Sequence, residues 1–480
     1  MNAQYSYGDD SPIAAFATTP GNSALTLIRC SGKNTLKLAE RFFSAPEKLR
    51  QAAGNTVLYG RIIAPDMRNE TVDEALISVY RAPKSYTGED SMDISCHGGG
   101  AAGRGVMAVL RASGFRDALP GEFTFRAFMN GKIDLTRSES VMELVSAKTD
   151  LSRRHAVNRL SGVLEQTINT IKKQLVEILS GVEIFLDYSE DEIGANPDEA
   201  AGHFTGKQLA RESLTSLYEL AQSWQRERIY QEGILAVIAG RPNAGKSSLF
   251  NSLLNEDRSI VTEVPGTTRD WIEAWVSIEG IPIRLADTAG LRDSPDPVEK
   301  IGVERSRELL EEAELILYLI DGAEGVTGED EKFIAGFCNR QSKPLLILWN
   351  KADIAPLPET SCLMNEPRPI SISAKTGEGM EGLTKGIAAA ALKDPANICD
   401  PAALTHSTQS AALGSARQKK LVDTACAVLE EALALAEKEE PLDLIAPLLR
   451  EAVNSLGEIT GEVTTADILE EMFSRFCVGK

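Results

Sequence analysis

The chain has 480 residues, 43% hydrophobic and 25% charged, the balance of a globular protein with room for about two to four domains. Its net charge of −20 excludes a generally basic surface for nucleic acid, so any RNA contact needs a local basic patch or a partner. Seven scattered cysteines without CxxC spacing exclude a disulfide framework or a zinc site and fit reduced thiols in a cytoplasmic protein.

The N-terminal stretch MNAQYSYGDDSPIAAFATTPG lacks a basic, apolar signal pattern, so no secretory leader is expected. No run of about 20 apolar residues predicts a membrane span. Up to about residue 130, SALTLIRCSG, TVLYGRIIA and EALISVYRAP read as strands between Gly and Pro breaks. From 137 to 230 the pattern is helical. Leu164, Ile168, Ile171, Leu175, Ile178 and Val182 form one apolar stripe at helical spacing. From 231 the short apolar runs ILAVIAG, IPIRLADT, LILYLIDG and PLLILWNK each precede a polar loop and a helix-like segment. That is the alternation of a parallel α/β sheet buried on both faces. Helical patterning returns from 403 to 475, clearest in LVDTACAVLEEALALAEKE. The expected fold class is multidomain α+β. Residues 1–130 form a β-rich domain, 131–230 and 396–480 the two parts of a helical domain, and 231–395 an inserted Ras-like α/β domain. Joining the two helical parts is the simplest arrangement; two separate domains fit the pattern as well.

GRPNAGKSS follows the first of these strands and has the G-x-x-x-x-G-K-S spacing of a phosphate loop. In such a loop Asn243, Ala244, Gly245, Lys246, Ser247 and Ser248 wrap phosphates in backbone N–H groups. Lys246 supplies charge and Ser247 a hydroxyl for Mg²⁺. Asp287, Thr288, Ala289 and Gly290 form DTAG after another strand, near the metal and the γ-phosphate. Asn350, Lys351 and Asp353 form NKAD after a third, where a carboxylate accepts from both guanine N–H groups and disfavours adenine. Ser373, Ala374 and Lys375 follow PISI. Four motifs in order, each after a strand, point to GTP.

Ras-like proteins place a water-orienting glutamine just after this D-x-x-G motif; here Leu291 stands there, and no arginine finger is assigned. Asn243 is a candidate to hold a monovalent cation beside the phosphates, a K⁺ doing an arginine's electrostatic work; a turn-stabilising role is its alternative. Thr262, Glu263, Val264, Pro265, Gly266, Thr267 and Thr268 supply further oxygens, including a threonine for Mg²⁺.

These residues, with PKSYTGED, CHGG, PGEFTFRAFMNGKIDLTRSES, VPGTTRD, DTAGLRD, VEKIGVERS and GEVTTADILEEMFSRFCVGK, closely resemble the bacterial MnmE (TrmE) family of tRNA modification GTPases. The resemblance runs nearly end to end. It implies an N-terminal domain that binds a 5-formyltetrahydrofolate-type cofactor and forms a homodimer, a helical domain, and an inserted G domain that needs K⁺. It implies a flavoprotein partner, MnmG (GidA), with which the homodimer forms a heterotetramer, and an aminomethyl or carboxymethylaminomethyl group added to carbon 5 of the wobble uridine of certain tRNAs. Carried over residue by residue, Asn243, Thr262, Val264 and Thr267 resemble the K⁺ site, and Ser247 and Thr268 the Mg²⁺ ligands. Glu299 stands where the family has a glutamate that orients the hydrolytic water. Arg29, Asp93, Lys132 and Lys480 match the folate contacts. Asp93 replaces the family's glutamate, TTPGNSA lacks an arginine, and LTHSTQS is less basic than the family segment. The rival reading is a GTP-regulated assembly switch or scaffold without one-carbon chemistry; a self-sufficient folate methyltransferase has no flavin or SAM fingerprint in its favour.

The chain closes on SRFCVGK. Gly479 and Lys480 do not fit a prenylation signal, and Cys477 has no metal-ligand company. Ile468, Leu469, Met472, Phe473 and Phe476 predict a helix whose last turn docks. The resemblance takes this tail to the folate pocket, which makes Cys477 an active-site thiol candidate, either nucleophile or packing residue.

Overall fold

The computed structural model describes residues 7–19, 21, 23–65, 69–187, 206–255, 259–260, 273–287, 308–338, 343–358, 368–392 and 411–480. The chain divides into two compact units. One is Met1–Met142 with Glu165–Arg211 and Ala427–Lys480; the other is Glu143–Leu164 with Glu212–Cys426.

The first unit is built on a six-stranded sheet of β1 (Ile13–Phe16), β2 (Leu25–Ser31), β3 (Thr56–Ala64), β4 (Glu70–Tyr80), β5 (Ser91–His97) and β6 (Arg116–Asp117), in the order β3-β4-β5-β2-β1-β6. All neighbours are antiparallel except β1 and β6. Alternation gives the sheet two different faces. Ile28 and Cys30 of β2, Ile77 and Val79 of β4, and Met92 and Ile94 of β5 join one core with the helix Gly100–Ala112. That helix was not legible in a stretch read as β-rich. Its run of Gly and Ala carries little apolar signal until Val106, Met107, Val109 and Leu110, which are buried. On the outer face Leu25, Val57, Tyr59 and Leu76 are exposed, Tyr59 lying opposite Leu76 across β3 and β4.

The C-terminal residues return to this unit. The helix Ala466–Ser474 and the residues after it bring Leu469, Phe473 and Phe476 against Phe125 and Leu135. Phe473 is fully buried, edge-on to Phe125 at 5.4 Å between ring centres. The predicted stripe from Leu164 to Val182 is buried along the helix Val163–Asp187, each residue contributing about 1.5–3 kcal/mol through its apolar side chain.

The second unit contains a seven-stranded sheet: β7 (Ile234–Gly240), β8 (Ser259–Ile260), β9 (Glu273–Ile278), β10 (Ile281–Asp287), β11 (Leu315–Asp321), β12 (Leu345–Asn350) and β13 (Ile370–Ser371). Their order is β13-β12-β11-β7-β10-β9-β8. The five strands from β13 to β10 are parallel, and β9 and β8 are added antiparallel. β11 is buried along its whole length, as its uninterrupted apolar sequence requires. One face packs on Leu249, Phe250, Leu383 and Ile387, the other on Leu309 and Ala313.

This unit also buries a charged cluster. Arg159 bonds Glu143 at 2.7 Å and Glu227 at 2.5 Å, and His155 Nδ1 lies 2.7 Å from Glu227. Burial raises the Glu227 pKa, but the bonds from His155 and the Arg159 charge outweigh it, so the group stays below the usual carboxylate range.

Two stability predictions follow from these cores. Phe473→Ala removes a fully buried ring and is expected to cost about 3–5 kcal/mol, read as a lower urea midpoint; an unchanged midpoint contradicts the docking of the tail. Glu227→Ala leaves Arg159 with one carboxylate and is expected to cost about 3–5 kcal/mol; a loss under about 0.5 kcal/mol would show that the cluster adds nothing.

Candidate functional site

Parallel pairing brings the carboxyl ends of β10, β7, β11, β12 and β13 to one edge of the second unit's sheet. Asp287, Gly240, Asp321 and Asn350 are the last residues of four of these strands. The loop after β7 runs into the helix Lys246–Asn255. Its two outer glycines are required by geometry. Gly240 has φ +146°, and a Cβ there would lie 2.5 Å from the Leu319 carbonyl of the neighbouring strand. Gly245 has φ +97°, and a Cβ would meet the Asn350 amide at 2.3 Å.

Asn350 ties two of the predicted loops together. Its Nδ2 donates to the Ala244 carbonyl at 2.8 Å, and its Oδ1 accepts from the Ala374 N–H at 3.0 Å. Ser373 is buried, its Oγ accepting from the Thr376 N–H, while Lys375 is exposed. Lys351, at φ +64°, bonds Asp321 at 2.6 Å. Asp353 is exposed at the same edge.

Lys246 is buried and donates to the carbonyls of Gly240 and Arg241 at 3.0 and 2.8 Å. Its ammonium therefore sits inside the loop that precedes it. Ser247 Oγ donates to Asp287 Oδ2 at 2.9 Å. A hydroxyl beside a buried carboxylate is an all-oxygen pair suited to Mg²⁺. Asn243 stands at the loop's turn with φ +61° and is exposed. Ser248 is exposed on the first turn of the helix. Thr262, Glu263, Val264, Pro265, Gly266, Thr267, Thr268, Thr288, Ala289, Gly290, Leu291 and Glu299 lie outside the described residues.

A second polar site lies on the outer face of the first unit's sheet. Arg29 and Asp93 are register partners on β2 and β5, with Arg29 Nε 3.2 Å from Asp93 Oδ1. They line a cavity of about 200 Å³ with Ser31, Tyr80, Tyr86, Thr87, Ser91 and Phe123. That is below the roughly 300 Å³ of ordinary small-molecule pockets, so it has room for one ring-sized end of a ligand and not for a whole drug-sized molecule. The Arg29 guanidinium lies 5.7 Å from the centre of the Tyr86 ring and 5.9 Å from that of Phe123. Burial pushes the Tyr86 hydroxyl up, and it shares a hydrogen bond with Thr124 at 2.9 Å.

Lys132 and Lys480 are not among the cavity's lining residues. Lys132 Nζ donates at 3.0 Å to the carbonyl of Pro83, on the segment that supplies Tyr86 and Thr87. The tail reaches the sheet elsewhere: a Cβ on Gly479 would lie 2.3 Å from the Phe16 carbonyl, and Phe16 pairs with Ile28, next to Arg29. The Cys477 carbonyl accepts from the Gly121 N–H at 3.3 Å, while Cys477 itself is exposed.

Residue-type reasoning missed Tyr86, Phe123 and Asp321. Tyr86 and Phe123 lie inside quoted motifs, and Asp321 ends a strand at the same edge as the nucleotide motifs, which was the available signal.

Two family models cover most of the chain: one described as the MnmE helical domain matches residues 135–477, and one described as the GTP-binding protein TrmE N-terminus matches residues 12–132. The tRNA modification GTPase MnmE of Treponema denticola is 42% identical, the alignment covering 99% of both chains. That of Borrelia turicatae is 40% identical over 98% of both, and that of Acetivibrio thermocellus 36% identical over 99% of this chain and 100% of the relative. Among solved structures, a variant of Aquifex aeolicus Era bound to GDP·AlF4⁻ is 32% identical over 33% of this chain and 56% of its own, with a TM-score of 0.26. The G domain of the T. maritima FeoB iron transporter is 28% identical over 33% of this chain and 98% of its own, with a TM-score of 0.26. The end-to-end matches decide the assignment: the chain belongs to the MnmE (TrmE) family of tRNA modification GTPases.

Proposed function

We propose that the chain is a K⁺-stimulated GTPase that works with a flavoprotein partner of the MnmG (GidA) type on the wobble uridine of tRNA. The product carries an aminomethyl or carboxymethylaminomethyl group on carbon 5. The observation that carries the nucleotide half of this reading is Asn350, which holds the loop at Ala244 and the loop at Ala374 on one sheet edge. Residues 231–395 act as the inserted G domain, 1–130 as the folate-binding and dimerisation domain, and 131–230 with 396–480 as the helical domain. No helix among the described residues is long and apolar enough to cross a membrane. The proposed place of work is the cytoplasm.

In this reading the backbone from Asn243 to Ser248 cradles the phosphates. Lys246 leaves the carbonyls of Gly240 and Arg241 for the outer phosphates. Ser247 and Thr268 ligate Mg²⁺, with Asp287 beside them. Asp353 accepts from the guanine N–H groups, and the Ser373–Lys375 segment closes over the base. Asn243, Thr262, Val264 and Thr267 hold K⁺, which supplies the positive charge that an arginine finger supplies elsewhere. Glu263, Pro265 and Gly266 complete that segment, Thr288, Ala289 and Gly290 face the γ-phosphate, and Glu299 orients the attacking water.

On the first unit, the Arg29–Asp93 pair and the Tyr86 and Phe123 rings suit the flat, hydrogen-bonding end of a 5-formyltetrahydrofolate-type ligand. Asp93 is short, and its direct bond to Arg29 leaves part of the carboxylate to accept from a ligand N–H. Lys132 and Lys480 would serve the ligand's remaining length, and Cys477 would be the thiol of this site, as nucleophile or as packing residue. The exposed Leu25, Val57, Tyr59 and Leu76 share this outer face, and a second copy of the chain covers them in a homodimer. Two such chains join two partner chains.

Three measurements test this reading. GTP hydrolysis is expected to run roughly 10²-fold faster in K⁺ than in Na⁺ at equal ionic strength; equal rates refute the cation site. Glu299→Ala is expected to lower turnover by roughly 10²-fold or more with GTP affinity nearly unchanged, whereas a large loss of binding makes Glu299 structural. Arg29→Ala is expected to weaken calorimetric binding of a 5-formyl folate by about 10- to 100-fold; unchanged affinity refutes the pocket.

A further inference from the structure

The glycine-rich loop carries an arginine that neither the nucleotide motifs nor the family resemblance employs. Arg241 is the residue after Gly240, and its guanidinium is bound on two sides. Nε lies 3.3 Å from Asp330 Oδ2, and one terminal nitrogen lies 2.9 Å from Glu324 Oε2. Asp330 is fully buried on the first turn of the helix Gly328–Cys338. It accepts from the Tyr318 hydroxyl at 2.9 Å, from the Thr327 N–H at 2.9 Å and from the Thr327 hydroxyl at 2.7 Å. A buried carboxylate with this many donors is fixed in place.

The anchor points are rigid. Tyr318 belongs to β11 and lies opposite Ala239 of β7 in the parallel ladder, with Leu319 opposite Gly240. The Thr327 and Asp330 bonds close the start of the helix as a capping arrangement. One carboxylate thus joins the central strand, a helix start and the first residue of the loop. Arg241 links that anchor to the loop's working part, because its carbonyl accepts from the Lys246 ammonium at 2.8 Å.

We infer that Asp330 is a positioning residue for phosphate binding, acting through Arg241, with Glu324 as an outer support. This rests on the reading of residues 240–247 as the phosphate loop. The physical ground is preorganisation. A loop with Gly240 at φ +146° and Gly245 at φ +97° has conformations that side chains would forbid, and it loses that freedom when it closes on phosphates. Fixing its first turn beforehand lowers that cost and strengthens binding without any contact to the ligand. The same two ion pairs hold the Arg241 guanidinium at the helix start, so it serves the loop as a tether and not as an arginine finger.

The test is binding of a fluorescent GDP analogue to the full chain, with active fraction fixed by stoichiometric titration. Arg241→Ala and Asp330→Asn are each expected to raise Kd about tenfold at unchanged stoichiometry. The double variant is expected to bind no worse than Arg241→Ala, since Asp330 works through that arginine. If the two losses multiply, Asp330 acts by holding Tyr318 and Thr327, and the inference falls. Wild-type affinity in Arg241→Ala also overturns it. Should Asp330→Asn fail to fold, Glu324→Gln replaces it: this side chain is exposed, and its removal is expected to weaken binding in the wild type but not in Arg241→Ala; equal weakening in both overturns the inference. Lys246→Ala separates the two levels. Wild-type affinity there refutes the phosphate loop itself, whereas a loss there with wild-type affinity in Arg241→Ala refutes only the tether.

Discussion

Parallel strand pairing is the constraint on which the candidate nucleotide site depends. Strands that run the same way end at the same edge, so residues far apart in sequence become neighbours without any contact between their own loops. Gly240 ends β7 opposite Leu319, and Asn350 ends β12 opposite Asp321. β11 lies between β12 and β7, and the loop after β7 comes back over the end of β11, so the side chain of Asn350 reaches Ala244 on one side and Ala374 on the other. The full burial of β11 and of most of β7 serves this geometry, because both faces must be covered before the edge is rigid.

The first unit uses the opposite arrangement for a different purpose. Its mostly antiparallel sheet packs one face on the helix Gly100–Ala112, and the other face is covered at β1 by Phe123 and Ala118 but exposed at Leu25, Val57, Tyr59 and Leu76. Cross-strand pairing of β2 and β5 sets a cation and a carboxylate side by side on that second face, and the helix Glu122–Met129 brings Phe123 over them. The helix is fixed from both ends of the chain. Tyr7 donates to the Pro120 carbonyl at 2.8 Å, and Gly121 donates to the Cys477 carbonyl. Below it a buried network runs from Arg116 through Glu122 and Arg126 to Glu89, which accepts from Ser31, a residue of the cavity wall. The C-terminal docking of Phe473 and Phe476 is therefore part of what shapes the cavity.

Much of this was legible in the sequence where a local pattern carried it. The stripe from Leu164 to Val182 announces a helix and its buried side, and ILAVIAG and LILYLID announce strands buried on both faces. The spacing of Leu469, Phe473 and Phe476 announces a docked tail. Contacts set by register were not legible. Nothing in TLIRCSG and SMDIS says that Arg29 will face Asp93; that pair was reached only through family resemblance. Arg241 and Asp330 are similarly remote in sequence, and each reads alone as a surface charge. Thr327 reaches Asp330 locally, but Tyr318 and Arg241 become its neighbours only when the sheet forms. The helix Gly100–Ala112 was hidden by its three early glycines, which lower its intrinsic helix preference, so that packing against the sheet decides it.

The central claim joins nucleotide hydrolysis to chemistry on tRNA. Its most direct test is nucleoside analysis of tRNA from cells lacking this chain, complemented with either the wild-type chain or Lys246→Ala. The account predicts loss of the carbon-5 group on wobble uridines in the deletion, restored by the wild-type chain and not by Lys246→Ala. Unaltered wobble uridines in the deletion, or full restoration by Lys246→Ala, would contradict it.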